Sequence, residues 1–314
     1  MEVGHIVGHE GVEQSLLQLL GSGNLPHAFL FHGCKGIGKR LTAEFFARSL
    51  LCGIGDDESD KLTYDTSHKL YPQIEAGSSP DFLVLEPEEG KKSISINQVR
   101  TTLGKLSLSS DGQRVVIVDA AEQLTNQAAN ALLKTLEEPG QGVHLILISH
   151  NLSKLLPTII SRCRQFRFSP LTSDQLIDVF MHILKTEDES SMHTLLRMCA
   201  GSPGEALRYV GQGLEIYQEL EGFFGQLPIV STSPVTQLAA NWQKSKSTDM
   251  AAELLLKKIS RLAKGQDPSD YTSLLWTDLY LKIENRFQNM EEFNLTPQLT
   301  LETTLMDVVS STHI

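Results

Sequence analysis

The 314 residues include 40% hydrophobic and 21% charged side chains, the proportions of a globular protein, and the length suits two or three domains. A formal net charge of −11 argues against coating nucleic acid by general electrostatics, while leaving room for a local basic patch. Apolar runs are short and broken by glycine, histidine or charge, and residues 1–5 lack the basic and apolar regions of a secretion signal, so a cytoplasmic protein is expected. Cys34, Cys52, Cys163 and Cys199 are widely spaced with no CxxC pair, which predicts free thiols.

In chain order, residues 28–32 (AFLFH) read as a short buried strand running into a glycine loop, and 41–51 carry apolar residues at helical spacing. Residues 53–79 begin acidic and show no periodicity, so they read as an insertion or long loop. A second strand is expected at 81–85 and a helix at 96–106, with Asn97 as N-cap. VVIV at 115–118 is a buried strand ending in Asp119, and 126–138 is an Ala/Leu-faced helix stopped by Pro139. LILI at 145–148 is another buried strand, and 166–168 a last short one. Such alternation predicts a parallel sheet covered by helices. Beyond residue 172 the strand signal disappears. Helices are expected at 172–185 and 190–200 about an acidic separator, 187–189. A sharp turn at 201–204 leads to a helix at 205–210. After a Ser/Thr/Pro-rich stretch, 230–235, come helices at 237–245, 250–263, 271–289 and 300–309.

The loop GCKGIGKR, residues 33–40, matches GxxxxGK[ST] except at its last position. Gly33, Gly36 and Gly38 let backbone N–H groups turn toward a polyphosphate, and Lys39 is placed to reach β- and γ-phosphates. The hydroxyl that ligates Mg²⁺ is replaced by Arg40, which cannot ligate a cation. Strand, glycine loop and helix in sequence is the context such a loop requires. Asp119 reads either as the acid that faces the loop and holds Mg²⁺ or as a strand-end cap. The next position, where oligomeric ATPases carry a water-polarising glutamate, is Ala120, and Glu122 lies too far along for that task.

NQAANALLKTLEEP at 126–139 and LPTIISRC at 156–163 strongly resemble the clamp-loader branch of the AAA+ ATPases, and within it the delta-prime family of bacterial DNA polymerase III. PHAFLFHG at 26–33, SPDF at 79–82 and NLTPQLTLE at 294–302 extend the resemblance over the whole chain. It implies an α/β AAA+ domain with a parallel sheet (1–168), a small helical lid (169–212) and an all-α collar (213–314). It also implies that Arg162 projects into a neighbouring subunit's ATP site as an arginine finger, with Arg164 able to share any role. The arginine with which active members sense phosphate from the lid would fall at Gly204, and Arg208 is too far on to replace it. A first sensor is expected around 149–151.

The resemblance further implies a component of a DNA-directed DNA polymerase with no activity of its own. Its partners would be gamma/tau ATPase subunits and a delta subunit, and indirectly the sliding clamp and primer–template DNA. Lys91, Lys92, Arg100 and Lys105 would flank or lie on the helix that faces DNA. Family members often carry a four-cysteine zinc module in the insertion. Here Cys52 and His68 are the only candidate ligands, so no zinc is expected. An active ATPase motor is the competing reading, opposed by Arg40 and Ala120. A subunit that holds ATP without cleaving it is a third, which Gly33, Gly38 and Lys39 allow.

Overall fold

The computed structural model describes residues 6–55, 61–106, 112–184, 189–228, 233–264, 271–293 and 295–312. The expectations for residues 1–5, for the acidic start of the insertion at 56–60, for most of the separator at 187–189, for much of the stretch at 230–235 and for Asn294 fall outside these. The chain divides into two compact units, Met1–Leu207 and Arg208–Ile314.

The first unit runs α1 (Glu10–Ser22), β1 (Ala28–His32), α2 (Lys39–Cys52), α3 (Tyr71–Glu75), β2 (Phe82–Leu85), α4 (Ile96–Leu106), β3 (Arg114–Asp119), α5 (Asn126–Glu137), β4 (Val143–Ser149), α6 (Pro157–Ile160), β5 (Arg164–Arg167), α7 (Ser173–Leu184), α8 (Glu189–Cys199) and α9 (Pro203–Leu207). The strands form one five-stranded sheet in the order β2-β3-β4-β1-β5, every pairing parallel. The unbroken apolar runs of β3 and β4 have a physical cause. Both sheet faces are covered, so Val115 to Val118 and Leu145 to Ile148 are all at most 1% exposed.

Register then sets the site. Leu85 pairs with Val118, Asp119 with Ile148, and His32 with Ser149. The residues that come after these pairs, Glu86, Ala120, His150 and Gly33, therefore leave the sheet side by side at its carboxyl edge, where open α/β sheets hold ligands.

Several expectations are corrected. The α4 cap is Ser95, not Asn97: the Gln98 N–H donates to Ser95 Oγ at 3.3 Å while the Ser95 N–H donates to Gln98 Oε1 at 2.9 Å, a reciprocal box that puts Asn97 inside the helix. The insertion is not wholly loop, because it contains α3, whose Ile74 is buried. The turn after α8 is shorter than expected, because Pro203 at a helix start is favourable, so α9 begins there and ends before Val210. The sequence expectations leave α1 unassigned; its N-cap, His9, is left-handed and makes no side-chain cap.

The second unit contains α10 (Gln212–Gly225), also unassigned from sequence, then α11 (Ser233–Lys244), α12 (Thr248–Lys264), α13 (Tyr271–Phe293) and α14 (Pro297–Ser311). Leu220, Phe223, Ala239, Trp242, Leu255, Ile259, Ile283, Leu301 and Leu305 are buried in this unit. The Trp242 indole N–H donates to Glu219 at 2.6 Å, satisfying the one polar atom that its burial would otherwise strand. No helix among the described residues is long and apolar enough to cross a membrane.

Candidate functional site

Residues 33–38 turn from β1 into α2 with positive φ at Gly33, Gly36 and Gly38, as a phosphate loop requires. Lys39 is 2% exposed, and its Nζ donates to the carbonyls of Gly33 and Cys34. Burial pulls the ammonium down to about 8, against the opposing pull of Asp119 and Glu122.

Arg40 does what a metal does elsewhere. Its Nη1 lies 3.0 Å from Asp119 Oδ2 and 3.2 Å from Glu86 Oε2, and its Nε lies 2.6 Å from Glu44 Oε1. Glu44 is one helical turn along α2, Asp119 ends β3, and Glu86 comes directly after the neighbouring β2. The guanidinium thus collects three carboxylates around one fixed charge. An Mg²⁺ ion does not fit this arrangement, because the acid that would hold it is already paired with a cation that occupies the ligand position. Glu122 Oε1 accepts the His150 N–H at 2.9 Å. In the first-sensor region, Ser149 is buried and Asn151 Oδ1 accepts the Ser153 N–H at 3.0 Å. Burial lowers the His150 pKa, with Lys39 adding to the effect.

The lid lies directly on the loop. Ser202 Oγ donates to the Lys35 carbonyl at 2.6 Å, and the Gly204 N–H donates to the Gly36 carbonyl at 2.8 Å. A Cβ on Gly204 would lie 2.9 Å from Gly36 Cα, and one on Gly36 would lie 2.6 Å from Ser202 Oγ. The position expected to lack a sensor arginine is therefore one where no side chain fits. Arg208, four residues on, pairs with Glu253 at 3.2 Å. From the other side, His9 Nε2 donates to the Ile37 carbonyl at 2.8 Å, its ring edge-on to Phe168.

Arg162 stands apart from this cluster, after α6. Its Nη1 donates to the Thr158 carbonyl at 3.0 Å, and its Nη2 is 2.7 Å from Glu137 Oε1. Arg164 is exposed on β5, its guanidinium 5.7 Å from the Phe166 ring. Between α4 and α5 runs a groove of about 480 Å³ whose lining includes Arg100, Leu103, Asn130, Ala131 and Lys134. Of the other basic residues expected near DNA, Lys105 lies in the last turn of α4 and is exposed, and Lys91 pairs with Glu88.

In the insertion, no three of His, Cys, Asp and Glu gather into a metal-holding group among the described residues. His68 Nδ1 accepts the Leu70 N–H at 3.3 Å, and Cys52 is buried at the end of α2. Arg48, on α2 just before the segment, pairs with Glu75 at 2.9 Å and lies 5.6 Å from the rings of both Tyr64 and Phe82.

Sequence motifs locate Gly33, Gly36, Gly38, Lys39, Asp119 and Arg162, and the structure brings the first five together while leaving Arg162 elsewhere. The sequence did not point to Glu44, Glu86, Ser202, His9 or Glu137. Only Glu44, at i+4 from Arg40, carries a local signal; the rest depend on strand register and loop packing.

A strand, glycine loop and helix, an acid ending the strand one place removed in the sheet, and a helical lid on the loop define a P-loop domain of the AAA+ type. The chain belongs to the family described as DNA polymerase III, delta subunit, whose model matches residues 8–172. It is 38% identical over 206 residues to the DNA polymerase III subunit delta' of Pseudomonas aeruginosa, covering 63% of this chain and 60% of that one. It is 34% identical over 189 residues to the Escherichia coli delta' subunit, covering 59% and 55%. With the Escherichia coli tau subunit the identity is 31% over 215 residues, covering 67% and 32%. The matched region thus spans 60% or less of each of these relatives. A Thermotoga maritima DNA polymerase III gamma subunit-related protein shares the fold, with a TM-score of 0.54 at 17% identity, covering 95% of this chain and 99% of that one.

Proposed function

We propose that this chain is a delta-prime-like subunit of a bacterial clamp loader, without ATPase activity of its own, that acts in the ATP site of a neighbour. The observation that carries the proposal is the Arg40 cluster, in which an arginine paired with Asp119, Glu86 and Glu44 stands where hydrolysis needs a hydroxyl and a metal. Arg162, exposed and outside that cluster, is the arginine finger in this reading. Its planar fork suits two oxygens of a neighbour's γ-phosphate and the charge that spreads over them during transfer. The partners are gamma/tau ATPase subunits and a delta subunit, and the assembly places the sliding clamp on primed DNA. Arg100 and Lys134 would meet primer–template phosphates, which carry no sequence information.

A second reading keeps a polyphosphate on the loop without metal. The three positive-φ glycines and Lys39 favour it. One experiment separates the two. The chain alone is titrated with a fluorescent ATP analogue, with Mg²⁺ and with EDTA, and is then mixed with gamma/tau and delta subunits on a sizing column. The proposal expects assembly, with no analogue bound by the isolated chain in Mg²⁺ or in EDTA. Equal binding in EDTA favours the second reading. Turnover by the isolated chain overturns both.

A further inference from the structure

The α5 helix ends at Glu137, and Glu138 is its C-cap. Carboxylates at a helix carboxyl end face the negative pole of the helix, so they are misplaced unless a cation answers them. For Glu137 the answering cation is Arg162, 2.7 Å away. The pair is built by packing rather than chance contact. Leu132 and Leu136 on one side and Ile159 on the other lie in one buried cluster, with Cys163 packed against it. That cluster brings the end of α5 beside the turn after α6 and leaves both charged groups at the surface, with Arg162 36% and Glu137 50% exposed. A guanidinium has five N–H donors. The Thr158 carbonyl and, at 3.5 Å, Ser161 Oγ take the two on Nη1 and Glu137 takes one on Nη2, leaving Nε–H and an Nη2–H for a second anion.

We propose that Glu137 is the positioning residue of Arg162, holding the guanidinium extended so that its open edge meets a nucleoside triphosphate bound by a neighbouring subunit. The inference rests on the finger reading above. A solvent-exposed ion pair restrains a side chain weakly, so Glu137 orders the arginine without trapping it, and a polyphosphate outcompetes or shares it. Without the carboxylate, the long side chain must be ordered during each encounter, and the loss falls on the chemical step rather than on nucleotide affinity.

The test uses the assembled complex and its DNA-stimulated ATP turnover, with Glu137→Ala, Glu137→Gln, Arg162→Ala and the Glu137→Ala/Arg162→Ala double variant. Assembly is checked by sizing column. The expected result is that Glu137→Ala lowers kcat roughly two- to fivefold with KM for ATP unchanged. Glu137→Gln, which keeps an acceptor, should be intermediate, and the double variant should match Arg162→Ala alone. If Glu137→Ala leaves kcat unchanged while Arg162→Ala abolishes turnover, the positioning role is wrong and the finger stands. Multiplicative effects in the double variant overturn it equally, because Glu137 then acts through something else. If Arg162→Ala itself changes nothing, the finger reading has failed rather than its refinement.

Discussion

Position 40 shows how one substitution changes the chemistry of a loop whose backbone is otherwise retained. Threonine or serine there would leave Glu44, Glu86 and Asp119 around a cation site, whereas arginine brings the cation with it. Replacing Arg40 by Thr should therefore destabilise the chain, because three close carboxylates lose their shared partner. The expected loss is about 1–2 kcal/mol, or about 2–6 °C in Tm. Thermal melts in the presence and absence of Mg²⁺ check this. Partial rescue by Mg²⁺ in the variant, and none in the wild type, is the expected pattern. The substitution itself was legible in the sequence, since it breaks a contiguous motif. Of its partners, Asp119 was marked as a strand-end acid and Glu44 by its i+4 spacing, whereas Glu86 carried no local signal. Glu86 reaches Arg40 only because β2 and β3 pair in parallel register, which no local pattern reports.

At the scale of elements, α9 and the phosphate loop meet backbone to backbone. Restoring a lid arginine by Gly204→Arg should not restore nucleotide sensing. Its Cβ alone meets Gly36 at 2.9 Å, so the expected effect is overpacking that costs about 1–3 kcal/mol, read as a lowered urea midpoint with no gain in ATP binding. The insertion makes a second case. Its described residues gather on Arg48, which meets Glu75 and the rings of Tyr64 and Phe82. EDTA should leave Tm unchanged, while Arg48→Ala should speed amide exchange in residues 61–75. A chelator-induced loss of protection there contradicts this. Legibility divides along the same line. The β3 and β4 strands and the α5 helix were readable because apolar runs and Ala/Leu periodicity are local. The α1 and α10 helices lack side-chain caps, and α3 has only five residues; packing rather than capping defines them.

For the whole molecule, pH separates the two units. Burial lowers the pKa of His9, His32, His144 and His150, all in the first unit, below the ordinary 6.5. Such groups protonate more readily unfolded than folded. Their contribution is therefore intact above 6.5 and is lost as pH falls through the lowered values. Buried Glu13 shifts upward and acts in the opposite sense, but in the carboxylate range. In the second unit, burial opposes ionisation of Glu253 and Asp307. Yet Tyr209 with Lys257 and Arg208, and Lys282 with Arg286, hold both below their ordinary values, so their contribution persists to lower pH. Hydrogen exchange at about pH 7 and about pH 5.5, corrected for intrinsic rates, should show protection lost first in the first unit. Earlier loss in the second unit contradicts the assignment.

The most direct test of the central claim is ATP turnover by the assembled complex carrying Arg162→Ala in this subunit alone. The account predicts normal assembly and a fall of about tenfold or more in DNA-stimulated turnover at the neighbouring site. Unchanged turnover in a complex shown to contain the variant would contradict it.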